Sequence, residues 1–361
     1  MAPTPSFHGK VCSLNNQTSR ETAMNPFVES QELIPDAEAL KTRLDQDGYL
    51  FIRGLIPRNT IENVRQQTLA PAKTAGWLKD GTPVSKAIAN SDAACVDPDC
   101  AYLKVLRQQL VLEDLHALKH HPAIVSLFES LLGEPVLVHA LAIPRNIFPQ
   151  RSDFTTPPHQ DYVHIQGSTS TYAIWLPLGD VPLKMGGLSI ASGSHRAGVR
   201  AFKVSSGAGG MECSESFTGS WVGGDFAAGD ALIFHSLAVH RGLPNQTDRL
   251  RQSLDCRYSP ASEPVMEISL RPYADLFTWD EVYASWQSTQ YQHYWNALSP
   301  NIVPIDMQYY EVRDEMAFDL AKQGDPSARA ALMRIIQRDP DPNKRSRATK
   351  LVDELASFSA G

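Results

Sequence analysis

The most constraining feature of the sequence is a series of short apolar runs between about residue 136 and residue 260. Each run has the length of a β-strand, is rich in β-branched or aromatic residues, and is bounded by Gly, Pro, Asn or Asp. The runs are VLVHALAI, TYAIWLPL, GLSIAS, ALIFHSLAVH and RQSLDCRYS. Because no regular helical pattern separates them, we expect an antiparallel sandwich or barrel.

Helical periodicity precedes this region. In DAEALKTRLDQDG the apolar positions Ala37, Leu40 and Leu44 recur at helical spacing, and Gly48 is suited to end the helix. The next segment, YLFIRGLI, reads as a strand, and a second helix is predicted from about residue 59 to residue 69. We therefore predict a mainly β fold with helices, of the α+β class, with helices flanking the sheets on the N-terminal side.

Helical periodicity returns after about residue 275. Apolar stripes at helical spacing occur in EVRDEMAFDLAK, PSARAALMRIIQR and KRSRATKLVDELAS. These patterns divide the chain into a flexible, polar N-terminal arm over 1–30, a β-rich domain over 31–275 and a C-terminal helical extension over 276–361. The extension would either pack on the sandwich or mediate formation of a homo-oligomer.

Composition argues against several kinds of partner and location. The chain of 361 residues has a formal net charge of −7, so it has no general attraction to phosphate backbones or anionic lipids, and nucleic acid is not an expected partner. No run approaches the roughly 18 apolar residues of a membrane span, and the N-terminus lacks a signal-peptide core. Five cysteines without a CxxC pair indicate reduced thiols, so we expect a cytoplasmic protein.

The stretch TTPPHQDYVHIQG, residues 155–167, contains an imidazole and a carboxylate separated by one residue. On a β-strand, residues i and i+2 project to the same face. His159 and Asp161 could then bind one ion while Gln160 points elsewhere. An HxD pair alone has little specificity, and the pattern requires a third ligand.

The third ligand is expected in GDALIFHSLAVHRG, residues 229–242, where a predicted strand carries His235 and His240. Two imidazoles and one carboxylate form the facial triad that leaves positions of an octahedral iron(II) open for a co-substrate and dioxygen. From the residues alone, either histidine could complete the set.

A basic residue, Arg251, follows the two histidines along the chain. Arg251 lies eleven residues after His240 in the strand-like RQSLD, and Ser253 follows on the same face of that strand. A planar guanidinium binds a carboxylate through a bidentate pair of hydrogen bonds. Together these residues predict a dicarboxylate co-substrate, 2-oxoglutarate, which chelates iron at one end and is held by Arg251 at the other.

The order HQD, GDALIFHSLAVH and RQS resembles the phytanoyl-CoA dioxygenase family of Fe(II)- and 2-oxoglutarate-dependent oxygenases. The similarity includes DGYLFIRGLIP and YAIWLPLGDVPLKMGGLSIASGSH and covers roughly residues 38–260. It implies a double-stranded β-helix of jelly-roll type with Fe(II), 2-oxoglutarate and O2 as cofactor and co-substrates. It also implies a dioxygenase that hydroxylates an unactivated C–H bond of a small-molecule metabolite and releases succinate and CO2.

The resemblance assigns roles to individual residues. It implies that His159, Asp161 and His240 bind iron and that Arg251 holds the distal carboxylate of 2-oxoglutarate. It thereby favours His240 over His235, because the family's ligand is the later histidine of that strand.

Other positions are expected to surround the site. By the same resemblance, Gln160 and Trp175 line the co-substrate pocket, and Gly242 stands where the family often has a small hydroxyl residue. Beyond the resemblance, we interpret Arg249 and Arg257 as salt-bridged surface arginines. The candidates for contact with the substrate are Arg145, Tyr162, His164, Tyr172 and His195.

Two other classes of function remain open from the sequence. One is a non-catalytic jelly-roll protein that binds a metal or ligand and uses the C-terminal helices for interaction. The other is a cupin-like isomerase or hydrolase with another divalent metal, for which Arg251 would have no evident role. The complete set of His159, Asp161, His240 and Arg251 favours the oxygenase of secondary metabolism.

Overall fold

The computed structural model describes residues 24–151, 155–205, 208–217 and 221–358. Its strands, numbered along the chain, are β1 Asn25–Pro26, β2 Tyr49–Ile52, β3 Val136–Val138, β4 Ile143–Ile147, β5 Tyr172–Pro177, β6 Leu188–Ala191, β7 Phe202–Val204, β8 Met211–Cys213, β9 Trp221–Gly223, β10 Ala231–His235, β11 His240–Gly242, β12 Arg251–Pro260, β13 Val265–Met266 and β14 Ile302–Val303. Its α-helices are α1 Ala37–Asp47, α2 Arg58–Thr74, α3 Cys100–Leu110, α4 Glu113–Lys119, α5 Pro122–Leu132, α6 Tyr162–Ile165, α7 Trp279–Tyr283, α8 Gln308–Lys322, α9 Arg329–Arg338 and α10 Pro342–Phe358.

Two sheets form the centre of the molecule. The larger has the order β2-β10-β5-β12-β3, with β4 also paired to β12, and the smaller has the order β1-β9-β6-β11. All pairs in the larger sheet are antiparallel. In the smaller sheet β6 is antiparallel to β9 and β11, whereas β1 is parallel to β9. This arrangement confirms the predicted α+β fold with a jelly-roll core.

The alternation of side chains along β10 shows how the sheets pack. Leu232 and Phe234 point into the core between the two sheets. There they share a buried cluster with Ile190 of β6 and with Phe226. Ala231 and Ile233 point to the other face, where helices cover the larger sheet. Because both faces of β10 are buried, its sequence reads as an uninterrupted apolar run.

The N-terminal helices cover the outer face of the larger sheet. Helix α1 begins after Asp36, whose side chain accepts a hydrogen bond from Ala39 N, and ends at Gly48 in the left-handed region with φ +77°. Its buried residues Leu40 and Leu44 join the core of the outer face. The helix predicted over these residues is therefore confirmed. Helices α3, α4 and α5 were not anticipated.

The run VLVHALAI, residues 136–143, is not one strand: β3 ends at Val138, and β4 begins only at the last residue of the run, Ile143. Between β3 and β4, the buried Lys119 donates hydrogen bonds to His139 O and Ala140 O, at 3.0 and 2.6 Å. These carbonyls are therefore bound by an ammonium group, and His139 N donates to Arg257 O. The extended run is interrupted at His139 and Ala140, where both carbonyls bind Lys119.

The beginning of the described chain packs on the sheets. Phe27 is buried in the core between the sheets, β1 pairs with β9, and Ser30 N donates to Phe51 O over 2.8 Å. Residues 24–30, which the sequence assigns to a flexible arm, are thus held by backbone pairing and by one aromatic anchor. Residues 1–23 of that arm lie outside the described residues.

The three predicted C-terminal helices are present as α8, α9 and α10. They share a buried apolar cluster that includes Phe318, Leu332, Ile335 and Leu351, and Val204 of β7 belongs to the same cluster. The extension therefore packs on the β7–β8 hairpin. Within the described part of the chain, no helix is both long and apolar enough to cross a membrane.

Gly48 gives a test of this packing. A Cβ at Gly48 would overlap the imidazole of His195, and the backbone is in the left-handed region, whereas a Cβ at Gly54 (φ +60°) would meet open space. We expect Gly54→Ala to cost about 1–2 kcal/mol of unfolding free energy from backbone strain alone. Gly48→Ala should cost roughly 1–3 kcal/mol more because of overpacking.

Urea unfolding of the two variants and the wild type measures this difference. Equal losses in the two variants would contradict the packing of His195 against the end of α1.

Candidate active site

Three side chains with metal-ligand atoms meet inside the jelly roll. One ligand atom from each of His159, Asp161 and His240 lies within 4.8 Å of the others. The Nε2 atoms of both histidines are 3.8 Å from Asp161 Oδ1, and all three residues are buried. Two imidazoles and one carboxylate that converge on one point match the ligand set of non-haem iron(II) sites.

The backbone explains how these residues meet. A β-bridge joins the two histidines: His159 N donates to His240 O over 2.9 Å, and His240 N donates to His159 O over 3.0 Å. The expectation that His159 and Asp161 share the face of one strand was wrong in its geometry. Asp161 has helical backbone angles, φ −66° and ψ −30°, and directly precedes α6. The turn into α6 therefore brings the carboxylate beside the imidazoles.

Gln160 faces away from these ligand atoms. Its side-chain nitrogen donates to Leu237 O and Gly198 O at 2.6 and 2.9 Å, and its Oε1 accepts from Arg200 N at 2.8 Å. Gln160 thus connects two loops by hydrogen bonds. It is not among the described residues that line the cavity. The expected contact of Gln160 with the co-substrate is not supported by its position.

The hydrogen bonds of the histidines fix their tautomers. Nδ1 of His159 lies 2.8 Å from Pro157 O, and Nδ1 of His240 lies 3.1 Å from Ala238 O. A carbonyl oxygen only accepts, so each Nδ1 carries the proton and donates it. Each Nε2 then has its lone pair directed to the common point, as a metal ligand requires.

The charges of the three groups suit a divalent cation. Burial lowers the pKa of both His159 and His240 below the ordinary value for an imidazole. Burial alone would raise the pKa of Asp161, but Arg257 and the two histidines hold it below its usual range. The set is therefore two neutral imidazoles and one carboxylate anion at neutral pH.

Arg257 supports the carboxylate. This residue is only 4% exposed, and its Nη2 donates to Asp161 Oδ2 over 2.9 Å. The bond leaves Asp161 Oδ1 turned to the histidines. The sequence-based interpretation of Arg257 as a surface arginine was therefore wrong. Its spacing from Arg251 by an even number of residues on one strand was the signal that could have placed it on the cavity side.

Arg251 is a buried cation with unused hydrogen-bond donors. It is 5% exposed, and its Nε and Nη1 atoms have no hydrogen-bond partner among the described residues. Its guanidinium carbon is 5.6 Å from the ring centroid of Trp175, and burial lowers its pKa to about 10, so it stays protonated at neutral pH. Ser253 Oγ, two residues further on, is also buried without a partner in the described chain, but Ser253 is not among the described residues that line the cavity. The unpartnered donors of Arg251 fit an anionic group bound in the cavity.

A cavity of about 250 Å³ connects these groups. Its lining includes the three ligand-type residues, Arg251 and Trp175. Gly242 also lines it, and a Cβ at Gly242 would lie 3.5 Å from Cβ of Thr156, another lining residue. A hydroxyl-bearing side chain therefore stands next to the position where the sequence lacks one.

The five candidates for substrate contact separate into two groups. Arg145 and His164 line the cavity, and Arg145 Nε donates to Asp255 Oδ2 over 3.0 Å. Tyr162, Tyr172 and His195 are outside the lining formed by the described residues. The Tyr172 ring packs edge-on to the His235 ring, and the His195 ring is 5.3 Å from the same imidazole. His235 therefore belongs to this separate aromatic cluster.

The cavity also has walls that sequence reasoning missed. Helices α8 and α9 contribute Tyr310, Arg313, Arg334 and Arg338 to its lining. These residues lie 70 or more positions after His240, and no motif connects them with the site. The helical extension is thus part of the wall of the cavity.

Comparison with known proteins identifies the family. The model of the phytanoyl-CoA dioxygenase family matches residues 44–253. The chain belongs to this family. The expected reaction class, an Fe(II)- and 2-oxoglutarate-dependent dioxygenase, is thereby confirmed.

Curated relatives are similar over most of their length. A 1-deoxypentalenic acid 11-beta-hydroxylase from Streptomyces exfoliatus is 28% identical over 274 residues, which are 72% of this chain and 91% of the relative. The enzyme of the same name from Streptomyces arenae is 29% identical over 280 residues, 71% of this chain and 90% of the relative.

Solved structures with some likeness include two non-haem enzymes. The epimerase SnoN in complex with Fe3+, alpha ketoglutarate and nogalamycin RO has 23% identity and a TM-score of 0.45, over 63% of this chain and 85% of SnoN. The apo form of the non-heme monooxygenase ThoJ has 20% identity and a TM-score of 0.47, over 87% of this chain and 99% of ThoJ.

Proposed function

We propose that His159, Asp161 and His240 hold Fe(II) and that Arg251 binds the distal carboxylate of 2-oxoglutarate. One observation carries this proposal: three convergent ligand atoms and a buried arginine with two unpartnered nitrogens face one cavity. Bound Fe(II), with 2-oxoglutarate and O2, supplies the oxidising power to functionalise an unactivated C–H bond, and succinate and CO2 are released.

The residues of the chain prepare this site before any ligand arrives. The backbone carbonyls of Pro157 and Ala238 orient the two imidazoles, and Arg257 orients Asp161. Because Trp175 and Phe234 give this part of the cavity wall an apolar surface, the ion pair of Arg251 with a carboxylate would be stronger than in water. Ser253 Oγ supports the same carboxylate as a neutral donor.

Hydroxylation is the outcome that we propose for the substrate. Asp161 supplies a carboxylate ligand, so no coordination position is left vacant for a halide, and halogenation is disfavoured. The curated hydroxylases from Streptomyces, which this chain covers over nine tenths of their length, also support hydroxylation of a small molecule of secondary metabolism. Arg145 and His164 are the proposed substrate contacts that face the cavity.

We also propose a cytoplasmic location and self-association of the chain. The described cysteines Cys95, Cys100, Cys213 and Cys256 are free thiols, which agrees with a reducing, cytoplasmic location. Self-association through the C-terminal helices has support from two exposed apolar side chains at the start of α8, Met307 and Val312.

The co-substrate site can be tested by absorption. Anaerobic protein loaded with Fe(II) and titrated with 2-oxoglutarate should develop a visible metal-to-ligand charge-transfer band. In Arg251→Met the half-saturating 2-oxoglutarate concentration should rise by roughly 30-fold or more, because loss of one partner of a buried charge pair costs about 2 kcal/mol or more. The exposed Arg249, two residues earlier, provides the control Arg249→Met, which should behave as the wild type.

A wild-type protein that contains iron but forms no band would refute the oxygenase site. Equal affinity for 2-oxoglutarate in Arg251→Met and the wild type would remove Arg251 from it.

The role of Arg257 can be tested through metal affinity. Arg257→Met removes the donor that holds Asp161 Oδ2, so the carboxylate loses its orientation and its stabilised charge. Loss of such an outer partner typically weakens metal binding by about 10- to 100-fold. Calorimetric titration with Fe(II) or Co(II) under anaerobic conditions measures this change, and Arg249→Met again serves as control.

Unchanged metal affinity in a folded Arg257→Met protein would show that the Asp161 carboxylate needs no support from β12.

A further inference from the structure

We propose that Arg334 of α9 is the receptor for a carboxylate group of the substrate, which would place the acid end of the substrate against the C-terminal helices. This inference rests on the proposed oxygenase function and adds to it the chemical class of the substrate, a compact carboxylic acid.

The charges around the cavity single out Arg334. Six arginines and three aspartates are among the described residues that line it. Arg145 pairs with Asp255, Arg257 pairs with Asp161, and Arg338 lies 3.7 Å from Asp97. Arg251 is assigned to 2-oxoglutarate. The remaining lining arginines are Arg313 and Arg334.

Arg313 is already satisfied by protein groups. Its Nε and Nη2 atoms donate to Asp314 Oδ1 at 2.8 and 2.5 Å, and its Nη1 donates to Gly209 O at 3.0 Å. Lys344 also binds Asp314, at 2.6 Å. Arg313 is therefore a fixed part of the wall that adds positive potential.

Arg334, in contrast, has no carboxylate partner within the described chain. Its hydrogen bond goes to Ala330 O of its own helix, at 3.2 Å, although the residue is only 8% exposed. Burial lowers its pKa from the ordinary value, and the nearby Arg338 and Arg313 lower it further, although Asp97 and Tyr273 oppose this effect. A charge that is buried without a partner is costly, so its retention in a cavity wall indicates a ligand of opposite charge.

Contacts through Gly209 connect Arg313, which lines the cavity with Arg334, to α6 beside the proposed iron site. His164 lies three residues after Asp161 on α6, and its ring is 6.2 Å from that of Tyr310 on α8. A Cβ at Gly209 would collide with the His164 imidazole, and Gly209 O is the group that accepts from Arg313. Buried His164 Nε2 has no hydrogen-bond partner among the described residues. His164 lines the same cavity as the triad and Arg334.

The charge and the volume define the ligand class. One uncompensated guanidinium requires one negative charge, which a carboxylate supplies in a bidentate geometry. A cavity of about 250 Å³ that also holds 2-oxoglutarate admits a compact molecule. The acid end would bind at α9, and the carbon skeleton would extend within the same cavity toward the triad.

Paired probes can test this inference. Wild-type protein loaded anaerobically with Fe(II) and 2-oxoglutarate is titrated calorimetrically with cyclohexanecarboxylic, adamantanecarboxylic and decanoic acids, each compared with its primary amide. At least one acid should bind about tenfold or more tightly than its amide. That ratio should fall close to one in Arg334→Met and be partly kept in Arg334→Lys. Arg329→Met, an exposed arginine on the same helix, should keep the wild-type ratio.

Two further readouts make the result decisive. The charge-transfer band should persist in Arg334→Met, which separates loss of the acid site from failure of the iron site. Its thermal midpoint without probe should equal or exceed that of the wild type, because an unpaired buried charge is removed. The proposal is overturned if no acid is preferred over its amide, or if the preference is the same in Arg334→Met as in the wild type.

Discussion

The alternation of side chains along β12 is the constraint on which both the core and the cavity depend. Leu254, Cys256 and Tyr258 enter the apolar core beneath the N-terminal helices. Arg251, Asp255 and Arg257 of the same strand face the opposite side and contribute charges to the lining of the cavity. A shift of register by one residue would bury the guanidinium groups among aliphatic side chains, so pairing with β4 and β5 fixes core and site together.

Buried charge explains why the site has this composition. Asp161 stays ionised although it is buried, because Arg257 and the two histidines lower its pKa, and Arg145 is matched by Asp255. Removing one member of either pair would leave an uncompensated buried charge and lower the stability of the fold. Arg251 and Arg334 are not matched in this way by described residues, and both line the same cavity. Their unmet charge is the physical basis for the proposed binding of two anions, the co-substrate and an acidic substrate.

The sequence was sufficient for the elements that follow local rules. The period of α1 with its stop at Gly48, the strands β5 and β12, and the helices α8, α9 and α10 could all be predicted. The predicted strand ALIFHSLAVH was wrong as one element, because a turn divides it into β10, which ends at His235, and β11, which begins at His240. The three ligand-type residues and Arg251 were found because their order matches a family pattern. The local geometry at Asp161 was not predictable from an i, i+2 spacing, since a helical turn places the carboxylate. Arg313 and Arg334 were missed because a helix's periodicity gives its buried face but does not identify the neighbour it packs against.

The C-terminal helices are consequently more than an appendage to the jelly roll. Their apolar cluster includes Val204 of β7, and the turn between β7 and β8 presents Gly209 to both His164 and Arg313. Because His164 belongs to α6, which begins directly after Asp161, the same hairpin contacts both the helical extension and the ligand-bearing turn. The contacts of this hairpin therefore connect the helical wall of the cavity with the turn that carries Asp161, although the two are built from distant parts of the chain.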